Sequence, residues 1–201
     1  MLAATKYNLT HLVDFTGRDA RQTFWYYVLF LFILYFVVAI IGSFVLIGSL
    51  MAPVMEAAQA GASEQEVQAQ IGSWMGSFMG TIIWASIGVN IVMDLLLAAA
   101  FVRRLHDSGR AGWWALLVAG AQAASTAMMI PMMDSMQDFM AQAMDPANVA
   151  DPVRFQAMMA QQSKFSLYGL IGWIGPIAAI IFGVLPSTDG PNRYGEAPVR
   201  F

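Results

Sequence analysis

Four stretches of the chain carry no Asp, Glu, Lys, Arg or His: residues 22–55, 67–93, 111–133 and 165–188. The first contains the run FWYYVLFLFILYFVVAIIGSFVLIGSL. A bilayer core of about 30 Å needs about 20 apolar residues of helix, and each stretch is long enough. A lone apolar segment in lipid has to satisfy its own backbone N–H and C=O groups, which a helix does and an isolated strand does not. The pattern predicts an all-α polytopic membrane protein with four transmembrane helices, over 25–50, 76–102, 112–133 and 166–186. The whole chain reads as one membrane domain, with a helical insertion near 134–165 broken by Pro146 and Pro152. The first run follows a polar segment, far exceeds a signal-peptide core and lacks a small-residue cleavage site, so it reads as a retained span.

Charge placement orients these spans. Lys6, Arg18 and Arg21 precede the first, Arg103, Arg104 and Arg110 lie between the second and third, and Arg193 and Arg200 follow the fourth. The segments between spans one and two, and between three and four, hold Arg154 and Lys164 against Glu56, Glu64, Glu66, Asp134, Asp138, Asp145 and Asp151. Lysine and arginine bias sets orientation. Both termini and the 103–111 hinge are therefore expected in the cytoplasm, and the acidic segments outside a bacterial inner (plasma) membrane.

Local signals refine the picture. Trp25, Tyr26, Tyr27, Trp74, Trp113, Trp114 and Trp173 fall near span ends, as interface anchors do. Gly72, Gly76 and Gly80 recur every four residues and let helices approach closely, within the chain or between copies in a homo-oligomer. Gly175-Pro176 predicts a bend in span four. Ser63 and Glu66 have the spacing of a capping box, and Gly109 that of a left-handed helix end. Asp94 is an acid inside an apolar stretch. An acid at bilayer depth costs about 2.5–3.5 kcal/mol, so it is expected to face the bundle with Asn90, one turn earlier, on the same face. A structural hydrogen bond is the plainer role for this pair, and an ion or proton relay in an oligomeric transporter or channel the sharper one. Met132, Met136, Met140 and Met144 form a ladder whose thioethers suit Cu(I). The same spacing makes an ordinary apolar stripe, which is the reading taken.

Composition narrows the chemistry. The chain is 58% hydrophobic and 11% charged, with a formal charge of −3, whereas a soluble domain carries about 25% charged residues. The absence of cysteine removes disulfides, thiolate metal sites and thiol nucleophiles. Two histidines are too few for a typical multi-histidine metal site. No metal or other cofactor is expected. The basic residues are few and lie against the membrane, so nucleic acid is not an expected partner.

The informative residues lie on the predicted inner side. Phe15-Thr-Gly17-Arg18-Asp-Ala-Arg21-Gln-Thr-Phe24-Trp25 comes first, where Thr16 has the chemistry of a helix cap and Arg18 and Arg21, three apart, are expected on one side. Arg103-Arg104-Leu-His106-Asp107-Ser-Gly109-Arg110-Ala-Gly112-Trp113-Trp114 ends span two, where cations suit a helix carboxyl terminus, and Gly112 is expected to turn the chain into span three. Pro186-Ser-Thr-Asp189-Gly190-Pro191-Asn192-Arg193-Tyr194-Gly195 is a turn-rich tail. Together, in this order, these segments resemble the DUF805 family of small bacterial inner-membrane proteins. Ala111 and Ser187 depart from the usual Ser and Gly of that pattern. The resemblance implies a compact four-span protein and assigns no activity.

Arg18, Arg21, Arg103, Arg104, Arg110 and Arg193, with His106, Asp107, Asp189 and Asn192, form the candidate site. Guanidinium forks bind carboxylate or phosphate. The cluster therefore reads either as an internal lock joining both termini to the hinge or as a seat for an anionic lipid headgroup, and a structural or regulatory role is favoured. An enzyme acting on a phosphate-bearing lipid would use His106 as base, oriented by Asp107 or Asp189. Neighbouring helix residues do not face one another, and no serine nucleophile stands out, so catalysis is not favoured.

Overall fold

The computed structural model describes residues 1–143, 148, 150–160, 170 and 173–198. Among them the order is α1 (Leu2–Thr10), α2 (Arg21–Gln59), α3 (Glu64–Asp107), α4 (Trp114–Ala143), a helical stretch over 152–160, and α5 (Ile174–Val184). The one β feature among the described residues is an isolated antiparallel bridge, Asn192 to Gly195. The expected all-α class holds.

Two helical segments, Arg21–Gln59 and Gly80–Asp107, are long and apolar enough to cross a membrane, and Trp114–Met128 and Ile174–Val184 are shorter apolar helices. The most apolar window of α2 is only 6% buried. The core helix of a soluble protein would be mostly covered. Instead Phe32, Ile40, Ile41, Phe44 and Val45 all lie exposed.

The contacts divide the chain into two compact units. The first comprises Met1–Leu34, Val89–Met128 and Ser166–Phe201. Its core is Phe24, Tyr27 and Leu31 of α2 against Ala100, Phe101 and Leu105 of α3, flanked by Trp114 and Val118 of α4 and Phe182 of α5. These residues recur at helical spacing, so each helix offers one continuous face. Tyr27 is not an interface anchor as expected. It is fully buried, and its hydroxyl donates to the Leu96 carbonyl at 3.0 Å. Trp25 also turns inward, donating its indole N–H to the Gly183 carbonyl at 3.1 Å. A Cβ on Gly183 would stand 2.8 Å from Trp25 Cζ2 and 2.9 Å from Phe24 Cε1, so α2 and α5 meet there because residue 183 has no side chain.

The second unit comprises Tyr35–Gly88 and Met129–Phe165. Here α2 ends in a Schellman motif. Gly61 takes φ +76°, its N–H donates to Ala58 O, and that of Ala62 donates to Ala57 O at 3.1 Å. The capping box then opens α3 as expected. Glu66 Oε2 accepts from the Ser63 N–H at 2.8 Å, and Ser63 Oγ accepts from the Glu66 N–H at 3.3 Å. Ser63 is the main reason the Glu66 carboxyl sits below its ordinary range. Asp151 starts the helical stretch over 152–160 by accepting from the Val153 N–H at 2.9 Å.

Some expectations meet the structure only in part. Gly175 and Pro176 fall in the first turn of α5, where a proline lacks only an N–H that has no intrahelical partner; residues 171 and 172, where the expected bend of span four would show, lie outside the described residues. Gly72, Gly76 and Gly80 lie in α3, and Met132, Met136 and Met140 in α4. Met144 and Pro146 lie outside the described residues, as do residues 166–169, 171 and 172 of the expected fourth span.

Candidate functional site

The RRLHD segment is the carboxyl end of α3. Helix ends leave carbonyls without intrahelical partners, and this one closes with a second Schellman motif. Gly109 takes φ +72° and donates to His106 O at 3.0 Å, while Arg110 donates to Leu105 O at 2.8 Å. This is the left-handed end the sequence predicts. Asp107 is fully buried just inside it.

The adjacent side chains of Arg103 and Arg104 diverge, since successive helix positions point about 100° apart. Arg103 reaches the amino-terminal segment. Nη1 donates to His11 O at 2.9 Å and also to Asp14 O, and Nη2 donates to Asn8 Oδ1 at 2.6 Å. Its Nε lies 3.1 Å from Asp19 Oδ1, a charge contact without hydrogen-bond alignment. The Asp19 N–H donates back to Arg103 O at 3.1 Å. Arg104 reaches the other way, to the end of α5. Nε donates to Gly183 O at 3.2 Å, Nη2 to Leu185 O, and Nη1 to Asp107 Oδ2. A cation there satisfies the last carbonyls of α5 and opposes its dipole.

Arg18 completes the set. Its Nε and Nη2 lie 3.2 and 3.0 Å from Asp107 Oδ1, Nη1 donates to Gly190 O at 2.6 Å, and Nη2 donates to Thr188 O at 2.8 Å. Asp107 also accepts from Ser187 Oγ at 2.5 Å, and its backbone carbonyl accepts from the Thr188 N–H at 2.9 Å. Every guanidinium nitrogen of Arg18, Arg103 and Arg104 thus faces an acceptor of this chain, and all three residues are buried. Asp19 and Asp107 are the buried carboxylates among them. Carbonyl dipoles from the end of α5 and from the turn after α1 offset the remaining positive charge. Burial pushes the Asp19 carboxyl above its ordinary value, against the pull of Arg103.

His106 Nδ1 lies 3.2 Å from Gly17 O, and its ring stacks on Tyr194 at 3.9 Å between centroids. Asn192 Nδ2 donates to His106 O at 3.0 Å. A Cβ on Gly112 would lie 2.9 Å from Val102 Cγ1 and 3.0 Å from His106 Nε2. Gly112 stands in the turn that leads into α4, as expected, and its missing side chain also allows this close approach.

The structure does not gather every candidate. Arg21, Arg110, Arg193 and Asp189 are exposed. Arg21 begins α2 and reaches Val184 O only at 3.5 Å, while Arg18 precedes the helix, so the two do not share a helix face as expected. Arg193 sits over the neighbouring Tyr194 ring at 4.7 Å. Thr16 caps no helix; its N–H and hydroxyl donate to Asp14 at 3.0 and 2.6 Å. With Asp107 held by two arginines and Asp189 in solvent, neither carboxylate orients His106. Asn90 and Asp94 line one cavity together, toward α4 and α5, and Asp94 is solvent-accessible there. Among the described residues no His, Asp and Glu cluster could hold a metal ion.

Sequence reasoning missed Asn8, Asp19, Ser187 and Thr188. Asp19 lies beside Arg18 within the first motif, and that adjacency was the available signal. The Ser187 hydroxyl donates directly to Asp107. No curated protein and no solved structure matches the chain. The sequence model of DUF805 matches residues 12–196, nearly the whole chain, including all three segments that build this cluster. The chain belongs to DUF805, a family of proteins of unknown function.

Proposed function

We propose that this protein crosses a bacterial inner membrane four times with both termini in the cytoplasm, and that its buried Arg–Asp cluster is a structural clamp. Two long apolar helices, two shorter ones and the grouping of basic residues on one side support the four-span reading. In lipid, apolar contact supplies little net drive between helices, so close packing and hydrogen bonds hold a bundle together. The clamp supplies such bonds where α3 meets the chain ends.

One observation carries the reading. The guanidinium nitrogens of Arg18, Arg103 and Arg104 are used on the chain's own acceptors. An anion seat would keep donors aimed outward, so a fastening role is favoured over a lipid headgroup site or a phosphate-handling enzyme. Native mass spectrometry and thermal melting of Arg104→Ala test this. The clamp reading expects a lowered melting temperature with unchanged retention of anionic lipid. Loss of bound anionic lipid at an unchanged melting temperature would overturn it.

A further inference from the structure

A cavity of about 370 Å³ opens in the first unit, lined by α3, α4 and α5 together with Phe15 and Gly112 from the segments between helices. That is within the usual range of small-ligand pockets, about 300–1,000 Å³. Its walls are mainly apolar, with Leu97, Phe101 and Leu116 among them, and its polar side chains are Asn90, Asp94 and Gln122. Asp94 is the one ionisable residue of the lining and has no hydrogen-bond or ion-pair partner among the described residues. Gln122 Oε1 is buried without a donor, against Gly175. One cavity therefore holds a carboxyl and an amide oxygen that both lack a donor, within apolar walls. Groups of this kind cost free energy at membrane depth until a donor arrives.

Depth selects the donor. Asp94 lies nine residues before Arg103, about 14 Å along α3 from the clamp. A phospholipid would bring its headgroup to the clamp and its methylenes to Asp94, which is the wrong polarity. We propose that this cavity binds a compact lipophilic amine in its protonated form, which enters from the lipid and places its ammonium on Asp94. The site rests on the membrane placement of α3 and is independent of the clamp's role.

A matched probe series tests the proposal in the full-length protein in nanodiscs, with empty nanodiscs subtracted: 1-adamantanamine, 1-adamantanol and 1-adamantanecarboxylate, followed by calorimetry. The wild type is expected to bind the ammonium at least about tenfold more tightly than the alcohol, and the carboxylate least. Asp94→Asn should erase the gap between ammonium and alcohol, and Ala98→Phe, which fills the cavity, should weaken both. Equal binding of the three probes by the wild type would overturn the proposal without any variant. So would an ammonium preference that survives in Asp94→Asn, or binding insensitive to Ala98→Phe in protein that melts like the wild type. A failed topology measurement with this preference intact would fault the span assignment, not the site.

Discussion

Replacing Asp107 by Asn tests the clamp where it is most concentrated. The side chain keeps its size but loses its charge, and an amide group takes the place of one carboxylate oxygen. That carboxylate receives Arg18 Nε and Nη2 at 3.2 and 3.0 Å, Ser187 Oγ at 2.5 Å, and Arg104 Nη1. Arg18 and Arg104 remain buried, now without their shared counter-charge. Removing one partner of a buried ion pair costs about 3–5 kcal/mol, mostly through the charge left behind. In a chain of this size one kcal/mol moves the melting temperature by about 2–4 °C, so a fall of about 6–20 °C is expected. The six tryptophans, with Trp25 and Trp114 packed on the core beside the clamp, give an intrinsic fluorescence readout in detergent. Asp189→Asn is the control, since Asp189 is exposed and outside the cluster; its effect should stay within about 2 °C. Asp107→Asn melting as close to wild type as this control would refute the reasoning.

Gly183→Ala should destabilise by about 1–3 kcal/mol, because its Cβ would meet Trp25 and Phe24 at 2.8 and 2.9 Å. Gly120→Ala has open space around its Cβ and should stabilise by up to about 1 kcal/mol; comparing the two melting curves checks both. Burial holds the folded Asp19 carboxyl above its unfolded value near 3.8. Its contribution to stability is therefore full below that value and is lost as pH rises through the folded pKa. Asp19→Asn should remove this part of the acid-side slope when melting temperature is followed against pH, and an unchanged slope would contradict it.

Much of this architecture was legible in the sequence because helices leave periodic marks. The charge-free runs, the Ser63–Glu66 box and the glycine after RRLHDS were each read from spacing, and each corresponds to a helix, its start or its end. The Arg-rich segments were recognisable as a group. What their guanidiniums touch was not, because the main acceptors are backbone carbonyls of His11, Asp14, Gly183, Leu185 and Gly190, and a carbonyl looks alike at every residue. Asp189 has the composition of an acceptor yet points to solvent, whereas Asp19 and Asn8 are brought in only by the path of the chain around α1. Tyr27 and Trp25 resembled interface anchors because an aromatic at a span end marks either a boundary or a core contact, and only the packed neighbours distinguish the two.

Accessibility labelling tests the central claim most directly, since the chain contains no native cysteine. Single variants Ala60→Cys, Arg110→Cys, Asn148→Cys and Pro198→Cys would be exposed to an impermeant maleimide from each face of the membrane in turn. The account predicts that positions 60 and 148 label only from outside, and positions 110 and 198 only from the cytoplasmic face. Labelling of 110 and 198 from opposite faces, or of all four from one face, would contradict it.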